Sequence, residues 1–193
     1  MSLKLVTAPT TYPVDLATAK LHCRVDASDE DALITALITA ATEMAEQKTG
    51  RALMAQTWQL TLGTFPTTIE LTRVPVQTIT SVKYRDTDGV LQTLSGASYA
   101  LVQDDFGFAK INPAYGATWP TTQVRDDAVV VEFVAGYASA AAVPESIKQW
   151  IKLMISTMYD NRETESYSSR AVSTTVQMSF VDRLLDRYRV WDV

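Results

Sequence analysis

The sequence predicts an α+β fold: a helical core made from the two ends of the chain, with an antiparallel β-sandwich or small barrel inserted between them. Two observations carry this reading. Apolar residues recur at helical spacing up to Gly50, take a two-fold period from Thr57, and return to helical spacing at Pro144. Turn-forming residues then punctuate the middle third at close intervals, as antiparallel strands require. The implied division is a helical subdomain of residues 1–55 and 137–193 and a β subdomain of residues 56–136.

The N-terminal 50 residues read as helical. Asp15 follows Pro13-Val14 and is placed to cap a short helix, Leu16–Cys23. Ser28-Asp29-Glu30-Asp31 opens a long helix, with three acids at the positive end of its dipole. Along it, Leu33, Leu37, Ala40 and Met44 form one stripe and Ile34, Ile38, Ala41 and Ala45 the adjacent one, with threonines and glutamates opposite. So wide an apolar face suits a helix with two neighbours. Gly50 is the expected stop.

In the middle third, Trp58, Leu60 and Leu62 alternate with polar residues, and Asp88-Gly89 marks a hairpin. Tyr99–Gln103 and Ala109–Asn112 read as a strand pair, and Val129–Ala135 as the most buried strand. Helix resumes at Pro144, where Ile147, Trp150, Ile151, Met154, Ile155 and Met158 keep one face. Trp150, Ile151 and Met154 are expected against the Leu33/Leu37 stripe. Residues 163–178, with seven serines or threonines and no period, read as a mobile loop. A last helix, Phe180–Tyr188, places Val181, Leu184, Leu185 and Tyr188 on one side.

Charge and chemistry narrow the function. Seventeen basic against 22 acidic residues give a net charge of −5, and no third of the chain carries a basic excess. That opposes a nucleic-acid module built on phosphate neutralisation. One cysteine, Cys23, excludes an intrachain disulfide framework and a multi-cysteine zinc site, and suits a reducing compartment. No signal-peptide run and no membrane-length apolar stretch is seen.

His22 and Cys23 are the only imidazole and thiol. Helical neighbours point about 100° apart, so they cannot act as base and nucleophile for one another. Asp86-Thr87-Asp88-Gly89 lacks the later ligands of a calcium loop. Asp104/Asp105 and Asp126/Asp127 are candidates for paired-carboxylate chemistry, though acids at loop ends are ordinarily solvated surface. The reading is therefore non-enzymatic, without metal or cofactor. Trp119-Pro120, and Tyr188 and Trp191 beside Arg187 and Arg189, are anchor-type residues of interaction surfaces.

Several segments in order resemble a known family. They are Pro13-Val14-Asp15-Leu16 through Lys20–Asp26, Asp29–Ile34, Thr49–Leu53, Gln56-Thr57-Trp58, Pro113–Gly116 with Trp119-Pro120, and Val129–Tyr137 ahead of Val143-Pro144. Over residues 1–160 the chain resembles the head–tail connector (adaptor, or head-completion) proteins of long-tailed phages and prophages, in the subgroup with an inserted β unit. The resemblance implies a structural virion protein, present in the host cytoplasm during assembly. It further implies a ring of about a dozen copies beneath the portal protein, which extends the DNA channel and offers a docking surface to tail-completion proteins. DNA would pass without sequence-specific binding, and no membrane is involved. An acidic wall suits that passage, since phosphate-binding cations would retard it. The resemblance favours the final helix as the subunit or portal interface, with Phe180, Val181, Leu184, Leu185 and Tyr188 as its buried side and Arg187 and Arg189 at the rim. The alternative is a non-catalytic binding module whose β subdomain holds a ligand or partner peptide.

Overall fold

The computed structural model describes residues 1–104, 108–161 and 178–190, with the side chains of 178–180 left out. The expected loop 163–178 therefore lies, but for the backbone of Met178, outside the described residues, as do Asp105 and Trp191.

The chain divides into two compact units. One takes Met1–Thr10, Gly50–Ala138 and the chain from Val190; the other takes Thr11–Thr49 and Ser139–Arg189. The first ten residues thus differ from the helical expectation. Ser2–Thr7 is a strand, β1, paired antiparallel with β2 (Gln56–Leu62). Its alternating Leu3-Lys4-Leu5 is a strand signal, but too short to stand out beside the helices that follow.

The β unit holds two antiparallel sheets. In the larger, β1 and β2 are followed by β8 (Val129–Ala135), β4 (Val76–Arg85) and β5 (Leu91–Thr93), in the order β1-β2-β8-β4-β5. The smaller has the order β3-β7-β6, from Ile69–Leu71, Ala109–Pro113 and Tyr99–Gln103. Neither sheet closes on itself, so the barrel form of the expectation does not hold. One apolar cluster joins side chains of both sheets, among them Leu60, Ile69, Val82, Ile111, Val131 and Phe133. β8 lies at the centre of the larger sheet and buries Val129, Val131, Phe133 and Ala135. Its run is nearly continuous because Val130 and Val134, on the other face, are half-covered as well. The Asp86–Gly89 segment is a hairpin tip: Gly89 has φ +81°, and Asp86 Oδ1 accepts from Asp88 N–H (3.1 Å) and Val90 N–H (2.9 Å).

The helical unit contains α1 (Leu16–Cys23), α2 (Asp31–Thr49), α3 (Glu145–Asp160) and α4 (Met178–Asp186). Asp15 caps α1, accepting from Thr18 N–H at 2.7 Å, and Gly50 ends α2 at φ +71°. On α3 the expected face is buried: Ile147, Trp150, Ile151, Met154 and Ile155. On α2 the buried stripe is Ile34, Ile38, Ala41 and Ala45. Leu33 is exposed and Leu37, Ala40 and Met44 are half-covered. The expected Leu33/Leu37 contact is therefore replaced by the adjacent stripe, one residue further along the helix. Two threonines buried on α2, Thr42 and Thr49, satisfy their hydroxyls on the carbonyls of Ile38 and Ala45 (2.7 Å each). No helix among the described residues is long and apolar enough to cross a membrane.

Candidate functional site: assembly surfaces

The final helix was expected as an interface, and its placement decides which of its residues remain available. Val181 and Leu185 are buried in the chain's own helical unit, where α4 packs on α2 and α3. Leu184, Tyr188 and Arg189 are half-buried and Arg187 is exposed. Phe180 lies in α4, its side chain outside the described residues. A nine-residue amphipathic helix is too short to persist alone in water, and here it is held by its own subunit.

A polar clamp fixes that docking. Asp182 accepts from the Trp150 indole N–H of α3 (3.0 Å) and from the Lys48 ammonium of α2 (2.8 Å), so one carboxylate ties three helices. Partial burial pushes this carboxyl upward. The Lys48 and Trp150 hydrogen bonds outweigh it, helped by the charges of Lys48 and Arg189, and hold the group below the ordinary carboxylate range. A depressed folded pKa contributes stability that is present above the unfolded value of about 3.9 and is lost as pH falls through the carboxylate range. Asp182→Asn is therefore expected to lower stability at pH 7 by about 1.5–3 kcal/mol and to flatten the acid limb of the stability–pH curve. Chemical denaturation between pH 3 and 7 checks this; an acid limb as steep as that of the parent chain contradicts it. The sequence reading missed this clamp, because Lys48, Trp150 and Asp182 carry no spacing signal. The pertinent hint was a tryptophan on an apolar helix face, whose N–H needs an acceptor once buried.

Two further contacts brace the helical unit. Lys20 pairs with Asp31 at 2.5 Å, joining α1 to α2. The Tyr159 hydroxyl donates to Glu30, joining α3 to the start of α2.

The apolar residues these contacts leave uncovered lie elsewhere. Leu21 on α1 is 80% exposed, and on α2 Leu33 and Ala36 are exposed beside the half-covered Leu37 and Ala40. In the β unit, Tyr115 stands fully exposed on its loop. Trp119 does not: it stacks on Phe65 with ring centres 4.8 Å apart and donates to the Thr67 carbonyl at 3.2 Å. That loop is therefore anchored by Trp119 and presents Tyr115.

The groups considered for chemistry are scattered. Burial, together with the charge of Asp160, raises the Cys23 thiol pKa, the opposite of nucleophile activation. Asp127 is held in an ion pair with Arg125. Among the described residues no group of three or more His, Cys, Asp and Glu is placed to hold a metal ion. The joint substitution of His22 and Cys23 is expected to change stability by no more than about 1 kcal/mol. Thermal unfolding tests this, and a larger loss would give the pair a role that their partial exposure does not suggest.

Residues 13–83 match the family of phage gp6-like head-tail connector proteins. The whole chain is similar to a chain in the neck of an empty gene transfer agent (GTA) particle computed with C6 symmetry. Identity is 27% and the TM-score 0.79, covering 100% of this chain and 97% of that one. The same figures hold for a chain of the virion of the native GTA particle. For the native neck computed with C12 symmetry they are 25% and 0.77, with the same coverage. Comparison with curated proteins gives no match. Over residues 13–83 the chain is thus similar to head-tail connector proteins, and over its whole length it shares the fold of chains in GTA necks. The resemblance read from the sequence is thereby supported independently, in sequence over residues 13–83 and in fold over the whole chain.

Proposed function

We propose that copies of this chain form a closed ring at the head–tail junction of a phage-like particle, beneath the portal protein. There the ring extends the DNA channel and presents a docking surface to tail-completion proteins. The observation that carries the reading is the full-length likeness to chains of necks computed with six-fold and twelve-fold symmetry. The part played is structural, without catalysis, metal or cofactor. A net charge of −5 is consistent with a channel wall that does not retain DNA.

The partly open α2 stripe, with Leu33 and Ala36 exposed, supports a subunit contact, since apolar surface left open in a single chain gains by meeting a neighbour. On α4 the portal-facing role falls to Leu184, Arg187, Tyr188 and Arg189, with Val181 and Leu185 serving the subunit core. Phe180 stays in the proposed surface on sequence grounds alone.

Arg187→Glu, at an exposed position, is expected to leave thermal stability within about 1 kcal/mol and to weaken co-assembly with portal about tenfold or more. Stable co-assembly of this variant would remove α4 from the interface and leave α2 as the surface to test.

A further inference from the structure

Among the described residues the two sheets of the β unit have four edges, and they differ in kind. Two belong to the three-residue strands β5 and β3, too short to template a partner. The other two are β1, of six residues, and β6, of five. β6, Tyr-Ala-Leu-Val-Gln, carries no charge, no proline and no bulge, and its register with β7 is unbroken from Tyr99 to Gln103. Edge strands usually carry at least one of those devices.

The phase of the ladder shows which groups β6 presents. Asp104 N–H donates to the Phe108 carbonyl and Ala114 N–H to the Ser98 carbonyl, both at 3.0 Å. Hydrogen-bonded pairs alternate in an antiparallel ladder, so Ala100 and Val102 direct their backbone groups to β7, while Tyr99, Leu101 and Gln103 direct theirs outward. At one end the Gln103 side chain accepts from Val76 N–H at 3.3 Å. The backbone groups of Tyr99 and Leu101 pair with no other strand among the described residues. Beside them Val102 is 55% exposed.

A ring generated by rotation joins two different patches of each copy. We infer that β6 of one copy receives β1 of the next, so that the smaller sheet of one subunit continues into the larger sheet of its neighbour. This rests on the ring reading above. Three observations favour β1 as the occupant. Among the described residues it is the one other edge of comparable length, and Ser2–Leu5 keep an unbroken register with β2, the irregularity between Leu5 and Thr7 lying at the far end of the strand and the charge of Lys4 selecting its partner. The register we infer sets Lys4 opposite Val102 and diagonal to the acidic Asp104 two residues on, a neighbour of opposite charge. Both strands also leave an apolar side chain exposed, Leu5 on β1 and Val102 on β6.

The experiment measures self-association of the purified full chain by sedimentation. Val102→Lys, at an exposed position, sets a charge against Lys4 of the neighbour and is expected to weaken association about tenfold or more. Lys4→Asp added to Val102→Lys is expected to restore it. In a Cys23→Ser background, Lys4→Cys with Val102→Cys is expected to give an oxidised ladder of covalent multimers, because paired strands lie within disulfide reach. Circular dichroism of each variant reports its fold. An oligomer that Val102→Lys leaves intact and that gives no ladder overturns this interface while the ring stands. Such a result would assign the β6 edge to another protein of the neck or to solvent. A parent chain that stays monomeric at all concentrations, alone and with portal, overturns the ring reading and this interface with it.

Discussion

Replacing Trp150 by alanine is expected to destabilise the helical unit by about 3–5 kcal/mol, a large share of what a domain of this size has. Trp150 is fully buried on α3, between the apolar face that also holds Ile147, Ile151 and Met154 and the carboxylate of Asp182. The substitution removes the indole volume and strips one hydrogen bond from a charged group that is itself mostly covered. Trp150→Phe separates the two effects, since it keeps most of the volume and loses the N–H. Its expected loss is about 1.5–3 kcal/mol, the range for hydrogen bonds to charged groups. Denaturant unfolding of both variants checks this. A loss below about 1 kcal/mol for Trp150→Ala would mean that α3 is not held by its tryptophan, and would remove the central residue of the packing account.

The second large effect is expected at Gly136, where Gly136→Ala should destabilise the β unit by about 4 kcal/mol or more, or prevent its folding. Gly136 has φ +113°, a conformation side-chain-bearing residues rarely adopt. A Cβ there would stand 2.0 Å from the Met54 carbonyl oxygen and 2.9 Å from Ala55 N. The obstacle is backbone, with no flexible side chain to swing aside. Both flanks are fixed as well: Gly136 N–H donates to the Pro75 carbonyl at 2.8 Å, and its own carbonyl accepts from Gln77 Nε2 at 2.8 Å. Gly116→Ala is the informative control. It too has positive φ, +77°, but open space around the missing Cβ, so only the conformational penalty of about 1 kcal/mol is expected. Equal losses at the two positions would show that the close approach to Met54 carries no weight.

Much of the fold was legible because periodicity survives in single elements. The α3 face could be read residue by residue, since few departures break its helical spacing. β8 could be read because a central strand, covered on both faces, is written as a continuous apolar run. The failures have one physical source: a face can be recognised from its pattern, whereas its partner cannot. Two apolar stripes lie side by side on α2, and nothing local says that Ile34 and Ile38 face inward while Leu33 stays outside. The same limit applies to α4, whose amphipathic pattern called for docking without naming the partner. Half of that pattern, Val181 and Leu185, turns to the chain's own α2 and α3. β1 was missed because an edge strand exposed at every residue but the half-covered Leu3 carries only a weak alternation over six residues.

The candidate surfaces were less legible than the fold. Anchor-type residues can be counted in a sequence, but exposure decides whether they pack or project. Trp119 and Tyr115 sit four residues apart in one loop; the first stacks on Phe65 and the second is open to solvent. The open edge of β6 left no mark in composition, because what it offers a partner is backbone.

The central claim is that this chain builds the neck of a phage-like particle as a ring, and electron cryo-microscopy of purified particles that carry an affinity-tagged copy tests it most directly. The tag is expected on a closed ring between head and tail, with six-fold or twelve-fold symmetry as in the related necks. A tagged chain that is absent from purified particles, or that sits on the capsid shell or tail tube and not at the junction, would contradict it.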